Sequence, residues 1–217
     1  GAVATALLGK SPDGSGRAVF AGLNADGSVV QVHVEFGVDG LAPVGTIDAL
    51  EDGARATRSG MVFNWVPNRI LYIADPACNA IVALTLGVDG KRFRVESKRV
   101  MAGPVFDVPV DLAPAVAEIA NPAFASNTTL AGDADLYVAN RGNGTVVRLK
   151  QDGSVVAIRR ITVPGVGPLG GDRLNGIAVS PDAARVWLTV TGRLPGHPEG
   201  AVIEIPAFGA PGGAPRG

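Results

Sequence analysis

Residues 135–161 read DLYVANRGNGTVVRLKQDGSVVAIRRI. Three runs of β-branched and apolar residues are separated by Asn143-Gly144 and Asp152-Gly153. Asn-Gly and Asp-Gly supply the positive φ of a tight hairpin turn, so the stretch predicts three antiparallel strands joined by short turns. The first run, LYVA, is continuously apolar, the pattern of a strand buried on both faces.

The same phrase recurs. RAVFAGLNADGSVVQVHVEF (17–36), RILYIADPACNAIVALTL (69–86), DLYVANRGNGTVVRLK (135–150) and RVWLTVTGRLPGHPEGAVIEI (185–205) are each a strand, a polar turn and a second strand. Phe20 to Val29, Tyr72 to Ile81 and Tyr137 to Val146 share one spacing of nine residues, and the fourth copy lengthens it to 15 through an insertion in its hairpin. A proline-ended apolar phrase precedes each copy: ATALLGKSP (4–12), GMVFNWVP (60–67), VAEIANP (116–122) and NGIAVSP (175–181). After the first three copies, Asp39-Gly40, Asp89-Gly90 and Asp152-Gly153 each turn the chain into one more strand. Four antiparallel strands per unit, returning every 52, 65 and 50 residues, suit the blades of a β-propeller better than a sandwich, which gives no reason for an internal period. The expected fold is all-β, with about four four-stranded blades, standing alone or as part of a six- to eight-bladed ring. Their expected bounds are 1–52, 53–103, 104–164 and 165–208, with a Gly/Pro-rich tail at 209–217 and an insertion within 105–134.

The composition agrees. Thirty Gly, sixteen Pro and 5% aromatics in 217 residues favour short strands and many turns, and 47% hydrophobic residues support a real core. A net charge of −1 gives no basic footprint for nucleic acid or anionic membrane. No apolar run is long enough for a membrane-spanning helix. The single Cys78 excludes an internal disulfide.

DLYVANRGNGTVVRL, followed by LNGIAVSPDAARVWLTV, resembles the repeat of NHL-type and YVTN-type β-propellers. The resemblance implies a fold and a range of roles: binding scaffolds, metal-dependent gluconolactonase-like hydrolases, lyases, and propeller subunits of periplasmic redox complexes. It also implies an extracytoplasmic bacterial setting, periplasmic or secreted.

The second-to-third-strand hairpins of a propeller emerge on one face, where ligands usually sit. Asn24, Asp26, Asp75, Asn79, Asn140, Arg141, Asn143, Arg193, His197 and Glu199 fall on these turns, and Asn175 opens the last blade. The binding candidates are Asp75, Asn79, Asn140, Arg141, Asn143, Asn175, His197 and Glu199. A gluconolactonase-like centre would draw oxygen ligands for Ca²⁺ from Asn64, Asp75, Asn140 and Asn175. Asn and Asp at such turns also serve their own backbone. His33, on a strand with Gln31 and Glu35, is expected on an outer surface. The basic run KRFRVESKR (91–99) is expected to be a solvated edge that blocks strand addition. G-x-S-x-G, H-E-x-x-H, Walker A and C-x-x-C motifs are missing, so serine-hydrolase, zincin, nucleotide-hydrolase and thioredoxin-like chemistry lack their groups.

These features favour a non-catalytic binding or scaffold propeller, with a metal-dependent hydrolase or lyase and a redox-complex subunit as alternatives. Residues 193–200 are expected to project from the ligand-bearing face. The edge at residues 201–208 is expected to be unpaired, to be covered first of all by further blades of a longer chain, or else by residues 2–9 as a closing strand or by a protein partner.

Overall fold

The computed structural model describes residues 2–12, 14–37, 40–43, 48–51, 60–64, 69–90, 92–115, 135–171, 173–180, 182–192, 194, 196 and 199–209. Among them there is no helix. The first sheet holds β1 (Ala2–Lys10), β2 (Ala18–Asn24), β3 (Val29–Gly37), β4 (Gly40–Pro43) and β5 (Asp48–Glu51). The second holds β6 (Met61–Asn64), β7 (Ile70–Asp75), β8 (Ala80–Asp89) and β9 (Arg92–Ala102). The third holds β10 (Pro109–Pro114), β11 (Leu136–Asn140), β12 (Thr145–Leu149) and β13 (Val155–Arg160). A two-stranded ribbon, β14 (Thr162–Val163) and β15 (Gly167–Pro168), leads to the last sheet of β16 (Leu174–Val179), β17 (Arg185–Val190) and β18 (Ala201–Pro206). All pairings are antiparallel between chain neighbours, save that β4 and β5 share the outer edge of β3. The four sheets are the blades of a β-propeller.

The opening stretch folds as its turn chemistry predicts. β11 and β12 pair from Asn140↔Thr145 to Leu136↔Leu149. Gly144 and Gly153 take φ of 66° and 90° in the two turns.

Every residue of β7 and of β11 is buried, so each of these strands needs a sheet against both faces. Between the first two blades, Leu8, Val19 and Leu23 pack with Leu71, Ile73, Leu84 and Phe93. Ile70, Tyr72 and Ile81 meet Leu136, Val138 and Leu149 between the second and third. Tyr137 and Val146 meet Leu174, Val186 and Leu188 between the third and fourth. At about 1.5–3 kcal/mol for each large apolar side chain buried, these three seams dominate the stability.

Several expectations are corrected. The inner strand of the third blade is β10, upstream of the proline-ended phrase 116–122, and the whole of that phrase lies outside the described residues. The fourth blade has three described strands, and the split edge gives the first blade five. His33 is buried, and its Nδ1 lies 3.2 Å from Ser11 Oγ. Gln31 is buried too; its Nε2 donates to Phe93 O at 2.9 Å while its Oε1 accepts from Phe93 N–H at 3.2 Å. That amide acts as a surrogate peptide joining the first blade to the second. Arg92, Arg94, Lys98 and Arg99 of the basic run are exposed, yet Arg92 pairs with Asp48 at 3.0 Å and Lys98 with Glu51 at 3.2 Å on β5.

Beyond β18 the chain turns back on the third blade instead of standing free to residue 208. Tyr137 Oη donates to Phe208 O at 2.9 Å and accepts from Phe208 N–H at 3.1 Å. The two rings lie 5.1 Å apart, and Arg159 stands over the Phe208 ring at 5.8 Å. Arg148, held by Asp135 at 2.6 Å, donates to the same carbonyl at 2.8 Å. Phe208→Ala would remove the ring from this clamp, and urea unfolding is expected to register a loss of about 2 kcal/mol. An unchanged midpoint would show that the clamp contributes nothing.

Candidate functional site

The hairpins 76–79, 141–144 and 191–200 and the connection 103–108 meet at one end of the blades, as the registers Asp75↔Ala80, Asn140↔Thr145 and Val190↔Ala201 require. Most of the polar residues expected there are present and committed to one another. Asp75 Oδ1 accepts from Ala77 N–H and Cys78 N–H, both at 3.1 Å, closing its own turn. Asn143 Oδ1 does the same for Thr145, taking its amide at 3.1 Å and its hydroxyl at 2.7 Å. Asp26 is a third such cap, and the Ser28 hydroxyl and amide hold its carboxyl below the usual carboxylate range.

Asn79, Asn140, Arg141 and Asn175 bridge blades. Asn79 Oδ1 accepts from Val108 N–H at 2.7 Å. Asn140 has no exposed surface; its Nδ2 donates to Val105 O at 2.7 Å and to Thr145 Oγ1 at 3.1 Å, and its Oδ1 accepts from Asp107 N–H at 3.4 Å. Arg141 reaches the fourth blade, donating through Nη2 to Asn175 Oδ1 at 2.7 Å and through Nε to Leu174 O at 3.3 Å. Asn175 Nδ2 in turn donates to Arg173 O at 3.0 Å and Thr191 Oγ1 at 2.8 Å. Val108 takes φ of 53°, a left-handed conformation costly for a β-branched residue. Asn79 on its N–H and Arg141 N–H on its carbonyl, at 2.9 Å, hold it there.

The expected oxygen ligands do not form one set. Asn64 pairs with Ile70 at the far end of the second blade from Asp75. Among the described residues no three His, Cys, Asp or Glu side chains cluster as metal ligands. His197 and Arg193 lie outside the described residues. Glu199 is exposed on the last hairpin. Leu194, in the same loop, is buried in the seam between the third and fourth blades, so this part of the insertion is anchored in the core.

Sequence reasoning missed Asp111. It lies on β10, and its carboxylate spans the inner strands: Oδ2 accepts from Ile177 N–H of the fourth blade at 2.9 Å and Oδ1 from Leu112 N–H at 2.9 Å. A Cβ at Gly60, just before β6, would collide with this carboxylate, and one at Gly176 would stand 3.4 Å from Oδ2. Burial raises its pKa above the ordinary 3.8, against the pull of the two amides. The signal available was one acid inside an otherwise apolar strand, VPVDLAP.

No family model matches the chain, and no curated protein does. Solved structures do. An auxiliary nutrient binding protein from Bacteroides thetaiotaomicron aligns over 85% of this chain and 44% of its own, at 16% identity and a TM-score of 0.45. A 6-phosphogluconolactonase-like protein from Bacteroides uniformis aligns over 87% and 49%, at 16% and 0.48. Sqt1 from Chaetomium thermophilum aligns over 87% and 40%, at 15% and 0.42. The chain thus spans less than half the length of each of these structures. These are likenesses of fold and carry nothing about ligand or reaction.

Asn140→Ala strips partners from Val105 O and Asp107 N–H inside a seam and is expected to cost about 2–3 kcal/mol in urea unfolding. Asp111 supplies a pH signature. A carboxyl whose folded pKa is raised gives its stabilisation below the ordinary value, and that stabilisation is lost as pH rises through the raised one. The stability of the native chain relative to Asp111→Asn is therefore expected to be greater near about pH 4 than near about pH 7. Parallel stability curves for the two proteins would contradict this.

Proposed function

We propose that this chain is a non-catalytic binding propeller, built of repeats of the NHL and YVTN type, that holds a ligand or protein partner on its hairpin-bearing face in an extracytoplasmic bacterial setting. One observation carries the reading: Asp75, Asn79, Asn140, Arg141, Asn143 and Asn175 are all engaged in turns or in bonds between blades. A face whose polar groups serve its own rigidity is a preorganised platform, and these six side chains are spent on that rigidity. The repeat assignment is supported by LYVAN forming the whole of β11 and LNGIAV the whole of β16.

The partner surface extends to the edge of β18. Among the described residues β18 pairs only with β17, and Val202 is 68% exposed. Such an edge accepts a further strand, from more blades or from another protein.

A gluconolactonase-like reaction remains the second reading, with the desolvated Asp111 in its favour. The two are separated by incubating the purified chain with gluconolactone with and without Ca²⁺, alongside a screen of saccharides and partner proteins. Retention of a saccharide or protein without lactone turnover is the expected result. Lactone hydrolysis that depends on Ca²⁺ and disappears in Asp111→Asn would overturn the binding reading.

A further inference from the structure

Three seams join the four blades in series, and a series has two ends. β7 and β11, in the middle blades, are buried along their whole length. β17 is not. Its Val186, Leu188 and Val190 are buried against the third blade, whereas Arg185 and Thr189 are exposed and Trp187 is only partly buried. Register carries this second face across the sheet, because Trp187 pairs with Ala178 and Glu204, and Thr189 with Val202. Ala178 and Glu204 are exposed, and Val202 is 68% exposed.

The first blade forms the other end. Its Val19, Ala21, Leu23 and Val29 face the second blade. On the opposite face Leu7, Phe20 and Val32 pair in turn across β1, β2 and β3, with Val30 beside them. These four apolar side chains are only partly buried and belong to none of the three seams. Thr5, on the same face of β1, is exposed. A contiguous apolar face on a sheet is the make-up of a packing surface. The two ends do not cover each other within one chain. The inner strands pack in the order β1, β6, β10, β16, and among the described residues no extended contact joins β1, β2 or β3 to β16, β17 or β18.

The third blade shows how a face of the fourth blade's kind looks when covered. Tyr137 stands three residues before Asn140, whose partner Thr145 opens β12; Trp187 stands three before Val190, whose partner Ala201 opens β18. Opposite Tyr137 is Arg148, paired with Asp135 two residues before the tyrosine. Opposite Trp187 is Glu204, paired at 3.6 Å with Arg185 two residues before the tryptophan. One arrangement thus recurs with its ion pair reversed. In the third blade, under residues of the fourth, the Arg148 and Asp135 side chains are 10% and 16% exposed; in the fourth, Arg185 and Glu204 are each 51% exposed. Trp187 Nε1 also donates to Glu204 at 3.0 Å, so covering this face would strand no lone charge.

We propose that a second copy of this chain covers both ends. The fourth-blade face of each copy, centred on Trp187, packs on the first-blade face of the other, centred on Phe20, and two copies close one ring. Every seam inside the chain joins one blade's far face to the near face of the next, and the two uncovered faces are the halves of one more seam of that kind. Two copies bring the ring to the top of the usual range of roughly four to eight blades, and three would exceed it. A twofold axis makes the two new seams identical. The inference concerns the flanks of the first and fourth blades and does not rest on the role proposed for the hairpin face.

Sedimentation equilibrium of the full chain is expected to give twice the 22.0 kDa of one copy, with a Kd on the order of 1 µM or tighter. Val202→Arg places a charge on the fourth-blade face and Thr5→Arg one on the first-blade face; both positions are exposed in the single chain, and circular dichroism checks that the fold is kept. Each alone is expected to weaken the dimer by about 30-fold or more, because each damages both seams. Ile158→Arg is the control. It replaces another exposed apolar residue, on β13 of the third blade and outside the new seams, and is expected to leave the mass unchanged. If one face variant fails to fold, the native mass and the other variant still decide. A native chain that stays at 22.0 kDa up to about 100 µM, an assembly of more than two copies, a dimer indifferent to a folded Val202→Arg or Thr5→Arg, or one that Ile158→Arg disrupts equally would each overturn the proposal.

Discussion

Burial of both faces of the inner strands is the constraint on which the rest of the structure depends. β7 and β11 expose no residue to solvent, and a sheet with two apolar faces is stable only between two others. The chain satisfies this radially, setting one four-stranded unit against the next. The three apolar seams then fix the spacing of the blades, and through it the positions of all the hairpins at their ends.

Apolar seams are non-directional and would let neighbouring sheets slide. What sets their alignment is a group of side chains that bond to the backbone of the next blade. Gln31 pairs with both main-chain groups of Phe93, Asn140 takes Val105 and Asp107, Asp111 takes Ile177, and Tyr137 takes Phe208. Each joins one blade to the next at a defined register, and each is buried or partly buried, where a lost partner costs the full desolvation of the group left behind. The Asn and Asp residues of the hairpin face are therefore better understood as fasteners than as ligands in waiting.

This explains which parts were legible in the sequence. β7–β8, β11–β12 and β17–β18 were readable because turn chemistry and apolar runs are local, and because three of the four copies keep the same spacing. The inner strand of the third blade was not, since VPVDLAP carries an acid and two prolines in an insertion-like stretch; with it went Asp111, whose importance comes from Ile177 and Gly60, far away in sequence. His33 and Gln31 were misplaced for a related reason. Alternation marks one face of β3 as polar, but only the packing of the second blade makes that face interior. Of the candidate site, Asp75, Asn79, Asn140, Arg141 and Asn143 stand at turns that local chemistry marks, while their mutual bonding depends on contacts between blades that no local pattern encodes.

A repeat protein carries an internal control for such long-range features. Tyr72 and Tyr137 occupy the same place in successive units, three residues before Asp75 and Asn140, yet their cross-strand partners differ, Ala83 for Tyr72 and Arg148 for Tyr137. The Tyr137 hydroxyl is bonded to both main-chain groups of Phe208. The second blade's Tyr72 is equally buried, but its hydroxyl has no hydrogen-bond partner among the described residues. A buried hydroxyl of that kind costs about 1–3 kcal/mol, whereas phenylalanine would fill the same seam without the cost. Both tyrosine rings are buried, so the two seams differ in the hydrogen bonding of the hydroxyl and not in its access to solvent.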